Sequence, residues 1–161
     1  MAIYMKNDKI PGNTSTEGFK NQIELHSASF GAGRMMGMSK RSDANRGHAE
    51  PHLSEISCSK EWDSVASGKL LQDSLAGVGD HTVTISFTTT SKNVVIAFMT
   101  YELEGVVISN YSVGAGGDSQ PSESFTLNYT KVTVTTFEVK DGKATKKDVI
   151  VYSLPEMKAN G

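Results

Sequence analysis

Apolar and hydroxyl side chains alternate without a break over residues 82–88. Val83, Ile85 and Phe87 fall on one face of an extended chain, and the threonines and serine between them fall on the other, because successive side chains of a β-strand point to opposite faces. This period predicts a half-buried strand. The fold therefore has to contain a sheet with one covered face.

More strands are predicted further along the chain. Residues 94–101 are apolar on both faces, which predicts a central strand covered on two sides. After a short turn at Glu104 and Gly105, residues 106–113 are predicted to form the next strand. The alternation returns in residues 124–129, whose inward side chains are predicted to be Phe125, Leu127 and Tyr129.

A hairpin is predicted near the end of the chain. Residues 132–139 and 148–154 flank Asp141 and Gly142, a dipeptide suited to the positive backbone angles of a tight turn. Weaker strand signals lie near the beginning, in residues 2–6, 22–31 and 52–59.

One helix and one long loop complete the prediction. The helix covers about residues 63–76, with Asp63 or Ser64 as its cap and Gly77 at its end. Its apolar residues recur near helical spacing, at Val65, Leu71 and Leu75. The segment of about residues 34–51 is polar. A loop of this length is usually either disordered or functional, and we predict an extended functional loop.

These patterns define the fold class. One helix among about nine strands indicates a mainly β protein with two packed sheets, as a barrel or a sandwich. The length of 161 residues suits one domain, and the sequence has neither an internal repeat nor a long linker. We therefore expect a single domain over residues 1–161.

Composition limits the classes of partner that the protein can have. A formal net charge of -2 provides no basic excess for nucleic acid or an anionic membrane, so the predicted partners are proteins. Cys58 is the only cysteine and cannot form an internal disulfide. Residues 1–10 contain no apolar stretch of signal-peptide length, and residues 94–99, the longest strongly apolar run, are too short to span a membrane.

No residue pattern indicates catalysis. Cys58 lies on an alternating segment and is interpreted as a core residue. His48 and His52 flank Glu50, but Pro51 breaks the helix that a metal pair would need. The lone His26 and His81 are assigned no role, and the glycines of residues 114–117 lead into a strand rather than a phosphate-binding helix. We predict no enzyme activity, no cofactor and no metal.

Two long stretches carry a resemblance to a known family. They read Tyr101-Glu-Leu-Glu-Gly-Val-Val-Ile-Ser-Asn-Tyr-Ser-Val-Gly-Ala-Gly-Gly-Asp118 and Pro121-Ser-Glu-Ser-Phe-Thr-Leu-Asn-Tyr-Thr-Lys131. This sequence resembles the signature of the haemolysin-coregulated protein family, the tube subunits of bacterial type VI secretion systems. Residues 23–31, 53–60 and 152–154 and the predicted helix follow in the family's order, although the family often has Trp at the position of Phe30.

The resemblance implies a small β-barrel that forms hexameric rings, which stack into a tube inside a contractile sheath. Sheath contraction would propel the tube, tipped by a spike protein, out of the cell. The implied partners are further copies of the chain, the spike, sheath and baseplate proteins, and effector proteins carried in the lumen. The protein would reside in the bacterial cytoplasm before firing and would then be secreted, or delivered into a target cell, without a cleaved signal peptide.

Two groups of residues are predicted to serve assembly. The family's equivalent loop projects toward the adjacent ring, which assigns ring stacking to Lys40, Arg41, Asp43, Asn45 and Arg46. Residues 22–31 match a strand that lines the family's channel, and Ser27 and Ser29 share one face of it. These two serines are the predicted lumen residues.

Two alternatives remain open. A tail-tube protein of a contractile phage-like particle would have almost the same fold. A monomeric ligand-binding β-barrel would instead have a large apolar pocket and would not assemble.

Overall fold

The computed structural model describes residues 1–34, 51–77 and 79–154 and the backbone of residues 158–160. Within these residues, twelve strands and one helix follow one another in this order: β1 (Ala2–Asn7), β2 (Ile23–Leu25), β3 (Ser27–Ser29), β4 (Ala32–Arg34), β5 (Pro51–Leu53), β6 (Ile56–Glu61), α1 (Ser67–Ala76), β7 (His81–Ser91), β8 (Val94–Gly114), β9 (Ser122–Asn128), β10 (Lys131–Lys140), β11 (Lys143–Ser153) and β12 (Lys158–Asn160).

The strands form two packed sheets that share β8. The first sheet has the order β12-β11-β10-β8-β7-β1-β2, and the second has the order β3-β6-β9-β8. Strand β8 pairs with β7 and β10 through its first part and with β9 through residues 107–114. Between β2 and β3 the chain passes from one sheet to the other at His26, whose N–H donates to the Ser59 carbonyl at 2.8 Å. The pairings thus complete a circuit, and the predicted small β-barrel of two sheets with one helix is confirmed.

The space between the sheets is filled by side chains. Val83, Ile85 and Phe87 are buried, so the strand predicted from the alternation over residues 82–88 is confirmed. The inward residues predicted for the later alternating segment, Phe125, Leu127 and Tyr129, are buried too. The period-two pattern locates these core residues because successive side chains of a strand point to opposite faces, but Ser86 and Thr88 on the opposite side of β7 are buried as well.

Strand β8 differs from its prediction in two respects. The predicted turn at Glu104 and Gly105 does not exist, because Gly105 takes a φ of 62° and lets one continuous strand bend from the first sheet into the second. The apolar run of residues 94–101 is central in the sheet, as predicted, but it is not covered on two sides. All of its side chains remain partly or largely exposed, and Val94 is 51% exposed.

Two hairpin tips lie side by side. Asp141 and Gly142 have φ angles of 52° and 76°, which confirms the predicted turn between β10 and β11. Lys92 and Asn93 turn the chain between β7 and β8 in the same manner, with φ angles of 50° and 64°. The tips are joined by an ion pair of 2.9 Å between Lys92 and Asp141.

The helix ends at Gly77, as predicted, but starts later than predicted. Before it, Asp63 Oδ1 accepts the N–H groups of Val65 and Ala66, both at 2.7 Å, and α1 begins at Ser67. The apolar residues at near-helical spacing, Val65, Leu71 and Leu75, are exposed. The helix instead packs on the barrel through Ala66, Ser67 and Leu70, because small residues allow its backbone to approach the sheet closely.

Candidate assembly surfaces

The outer face of the second sheet consists of hydroxyl side chains. Strand pairing brings four serines from four strands into one row: Ser27, Ser59, Ser124 and Ser112. The next row contains Ser29, Ser57, Thr126 and Asn110. None of these eight described residues carries a charge or a large apolar group. We call the two rows the hydroxyl face.

Neighbouring hydroxyls on this face bond to one another. The oxygens of Ser27 and Ser59 are 2.5 Å apart, and those of Ser112 and Ser124 are 2.6 Å apart. Ser109 also bonds to Thr126 across a bulge in β8, at 2.6 Å. Cross-strand hydroxyl pairs of this kind stabilise a sheet modestly and leave a surface that can exchange partners with water or with another protein.

Carboxylates lie at both borders of this face: Glu61 follows Ser59 on the outward side of β6, and Glu55 lies at the other border. Glu55 accepts hydrogen bonds from Asn128 at 3.1 Å and from Ser109 at 2.9 Å. These bonds stabilise the charged form and lower the pKa of Glu55. Burial, together with the charge of Glu55, raises the pKa of the neighbouring Tyr129 to about 12, and the Tyr129 hydroxyl donates to the Ser54 carbonyl. Hydrogen bonds therefore hold the side chains of Glu55 and Tyr129 in place at this border.

Both serines predicted to line a lumen lie on the hydroxyl face. Ser27 and Ser29 are exposed on β3, and β3 forms the edge of the second sheet. The structure places six further polar side chains beside them that the sequence analysis did not single out. A signal was available, since Ser57 and Ser59 alternate with buried Ile56 and Cys58. Only the strand order, however, shows which polar faces adjoin.

The five residues predicted for ring stacking, Lys40, Arg41, Asp43, Asn45 and Arg46, lie outside the described residues. The two ends of their segment are described. Arg34 pairs with Pro51 in the β4–β5 ladder, so the predicted bounds of residues 34–51 include one strand residue at each end. Ser54 joins this ladder to the barrel by accepting the N–H of Gly31 at 2.8 Å. The segment thus leaves the barrel beyond the Ser29 end of the hydroxyl face.

A buried ionic network lies at the opposite end of the second sheet. Lys60 on β6 and Glu123 on β9 are register partners, with 2.9 Å between Nζ and Oε2, and they are only 2% and 1% exposed. Lys60 Nζ also contacts Asp63 at 2.7 Å and donates to Ser67 Oγ at 3.1 Å. The Tyr111 hydroxyl donates to the other oxygen of Glu123. This network joins three strands to the start of α1.

The network also alters acid–base behaviour. Burial acts to raise the pKa of Asp63, but the hydrogen bond from Lys60 and those from two backbone N–H groups outweigh burial, and the pKa is lowered. Burial and the hydrogen bond to Glu123 raise the pKa of Tyr111. The ionised Asp63 therefore favours the folded state above the ordinary pKa of an aspartate, and this contribution is lost as the pH falls through the lowered value.

Cys58 and His81, two of the residues considered in the sequence analysis, occupy structural positions, whereas His48 and Glu50 lie outside the described residues. Cys58 is buried as predicted, and burial raises the pKa of its thiol to about 12, so it is not a thiolate nucleophile at neutral pH. His81 is buried, with Asn7 Oδ1 3.0 Å from Nδ1 and Asp73 Oδ1 2.8 Å from Nε2. Among the described residues, no three His, Cys, Asp or Glu side chains are grouped to hold a metal ion.

An apolar groove of about 370 Å³ lies beside the β4–β5 ladder. Its walls include Phe30, Leu53, Tyr101, Val134 and Ile150. It is a surface groove where the inner face of the first sheet extends beyond the second sheet, whereas the barrel interior is occupied by core residues.

The described part of the chain contains no helix that is long and apolar enough to cross a membrane.

Comparison with solved structures shows the same fold. A protein described as a type six secretion system protein is 28% identical, with a TM-score of 0.88 over 99% of both chains. Hcp1 from Salmonella typhimurium is 16% identical, with a TM-score of 0.72 over 99% of this chain and 98% of that one. A type VI secretion system effector from Yersinia pestis is 17% identical, with a TM-score of 0.70 over 94% and 98%. Among curated proteins, none matches this chain.

The sequence matches one family along most of its length. Residues 4–136 match the family model described as type VI secretion system effector, Hcp. The match contains residues 4–7 of β1, all strands from β2 to β9, residues 131–136 of β10, the helix and both rows of the hydroxyl face. The chain therefore belongs to the Hcp family of type VI secretion proteins.

Proposed function

We propose that this chain is the structural subunit of the inner tube of a type VI secretion system. Hexameric rings of the chain stack into the tube, sheath contraction propels the tube outward, and effector proteins travel in its lumen. The observation that carries this proposal is the hydroxyl face, because its two rows of small polar side chains, which carry neither a charge nor a large apolar group, can hold varied cargo without trapping it.

The second sheet is suited to ring closure. Within the described residues, β3 pairs only with β6, and residues 107–114 of β8 pair only with β9. Both outer edges of this sheet thus present unpaired backbone groups, which favour pairing with another chain. A heterologous contact between the β3 edge of one copy and the β8 edge of the next closes a ring by rotation. In that arrangement the hydroxyl faces join into one continuous lining.

Ring stacking is assigned to Lys40, Arg41, Asp43, Asn45 and Arg46. Their segment is attached through β4 and β5 beyond one end of the hydroxyl face, which suits a contact along the ring axis. Mixed charges specify the register of such a contact and leave it reversible. Stacking and ring closure therefore use separate surfaces.

Absolute mass from light scattering on a sizing column, with negative-stain images of the same peak, tests the assembly. We expect the mass of six subunits, annular particles, and tubes at high concentration.

Changing Arg41 and Arg46 together to Glu should leave the rings intact and suppress the tubes, because like charges would then face each other between rings. Loss of the rings in this variant would refute the stacking assignment. A clean monomer of the unchanged chain at high concentration would contradict the tube proposal and favour a ligand-binding barrel.

A substitution on the hydroxyl face tests the lumen. Ser29→Trp should weaken effector binding about tenfold, equivalent to roughly 1.4 kcal/mol, because the indole would obstruct the lining, and less effector should then be co-purified and secreted. Thr90→Trp is the matched control, since Thr90 is an exposed hydroxyl residue on a strand of the first sheet. Unchanged effector recovery with Ser29→Trp, in rings of normal mass, would exclude Ser29 from the lumen.

A further inference from the structure

The hydroxyl face has a carboxylate at each end of β6. Glu61 ends this strand on its outward side and pairs in register with Ser122 of β9. Glu55 precedes the strand and bonds to Asn128 and Ser109, which are exposed on the outward side of the same sheet. The two glutamates are six positions apart in the sequence, which is about 20 Å along an extended chain. We call Glu55 and Glu61 the border carboxylates.

Both border carboxylates are accessible to another molecule. Glu55 is exposed, and the hydrogen bonds that it accepts stabilise its ionised form and lower its pKa. It has no ion-pair partner among the described residues. The side chain of Glu61 is 61% exposed, and the ring nitrogen of His26 lies 3.9 Å from its Oε1, too far for a hydrogen bond. Both carboxylates can therefore pair with a cation from outside the subunit.

The strands of the second sheet provide no exposed cation that would offset these charges. Strands β3, β6 and β9 and residues 107–114 of β8, all of them described, contain one lysine and no arginine. That lysine is Lys60, which is 2% exposed and already pairs with Glu123 and Asp63. The lysines and arginines of the chain are thus kept off the outward side of these strands, where the only charged side chains are carboxylates.

Ring closure would join the border carboxylates of neighbouring copies. This step rests on the proposed function, in which the hydroxyl faces of successive copies form the lining of a lumen. Every copy adds the same two glutamates, so each border of the lining becomes a closed ring of negative charge. Charges of one sign in a confined space raise the local concentration of the opposite charge, and rings of Asp or Glu select cations in this way in channels.

We propose that the border carboxylates make the lumen selective for cargo with a positively charged surface. The cargo is a protein domain whose lysine and arginine side chains pair with Glu55 at one border and with Glu61 at the other. The hydroxyl rows between the borders bind the remaining polar surface without a preference for either sign of charge. An acidic domain of the same size is repelled at both borders. Since salt screens exposed charges beyond about 8 Å at physiological ionic strength, the two rings of charge act separately and the selectivity decreases as salt is added.

Fluorescence anisotropy with labelled octalysine and octaglutamate peptides tests this selectivity on the assembled ring at low salt. Octalysine should bind more tightly than octaglutamate by about tenfold or more. Glu55→Gln combined with Glu61→Gln should remove most of this difference, because the variant loses both charges and keeps the side-chain size. The control is Glu102→Gln combined with Glu138→Gln, which makes the same charge change at exposed positions of the first sheet and should leave the difference intact. Equal losses in the two double variants would overturn the proposal, because binding would then follow net charge alone.

Reversal of the border charges provides a second test. Glu55→Lys combined with Glu61→Lys should bind octaglutamate more tightly than octalysine, because both rings of charge become positive. Light scattering and the melting temperature establish that each variant forms rings of normal mass and is folded. Rings that still prefer octalysine after this reversal, or rings of the unchanged chain that bind both peptides equally, would overturn the inference and leave the tube proposal intact. An unchanged chain that forms no ring would overturn both.

Discussion

Replacing Lys60 by Met should lower the free energy of unfolding by about 3–5 kcal/mol. The substitution removes the cation that contacts Glu123 and Asp63 and leaves the carboxylate of Glu123, 1% exposed, without a charged partner in the protein interior. A buried charge without a charged partner is far more costly than the pair, because the carboxylate loses its hydration and keeps only the hydrogen bond from Tyr111. Urea unfolding followed by circular dichroism at one protein concentration measures the change.

The matched variant combines Lys60→Met with Glu123→Leu. It replaces both charges by apolar groups of similar size, so no buried carboxylate remains on β9, and it should be more stable than Lys60→Met alone. The difference between the variants measures the penalty of the lone charge, since the cavity and packing changes at Lys60 are common to both. A double variant as unstable as the single one would show that Lys60 acts by packing instead.

Gly12→Ala should destabilise the protein by about 3 kcal/mol, at the upper end of the range for overpacking. A Cβ atom at this position would lie 2.1 Å from the Gln22 carbonyl oxygen and 2.4 Å from the Ile23 nitrogen. Both atoms belong to the backbone where β2 begins, so no side chain can rotate away to make room. The segment after β1 would have to move, and the hydrogen bond of Gly12 N–H to Asn21 would be lost.

Gly114→Ala is the control for this substitution. Gly114 lies at the end of β8, and a Cβ atom there would meet nothing within 4 Å. Its stability should stay within about 0.5 kcal/mol of the unchanged chain. Equal melting temperatures for Gly12→Ala and Gly114→Ala would contradict the close approach between Gly12 and Gln22.

Local patterns were sufficient to predict several strands and the inward residues of two of them. The alternations that contain Ile85 and Leu127 are visible along the chain, and each concerns side chains only two residues apart. The same is true of the turn at Asp141 and Gly142, where residue type alone favours positive φ angles. The helix end at Gly77 follows from the same preference.

The helix face was not predictable in this way. Leu71 and Leu75 are the apolar residues at helical spacing, yet they are exposed, while Ser67 is buried. The hydroxyl of Ser67 lies against Lys60 Nζ at 3.1 Å, and this contact depends on a strand that comes earlier in the chain. The two residues are close in sequence but belong to different elements, and periodic spacing reports only neighbours along one element.

The candidate surfaces likewise combine features that the sequence indicates with features that only strand pairing decides. The resemblance to the family indicated residues 22–31 as a lining strand, and the two-residue spacing of Ser27 and Ser29 put them on one face of it before the fold was known. Pairing between β3, β6, β9 and β8 decided that these serines continue into Ser59, Ser124 and Ser112. Pairing also brought Lys60 and Glu123 into the interior. Periodicity is a local property of the chain, whereas strand order and burial of charge result from the free energy of the whole packed molecule.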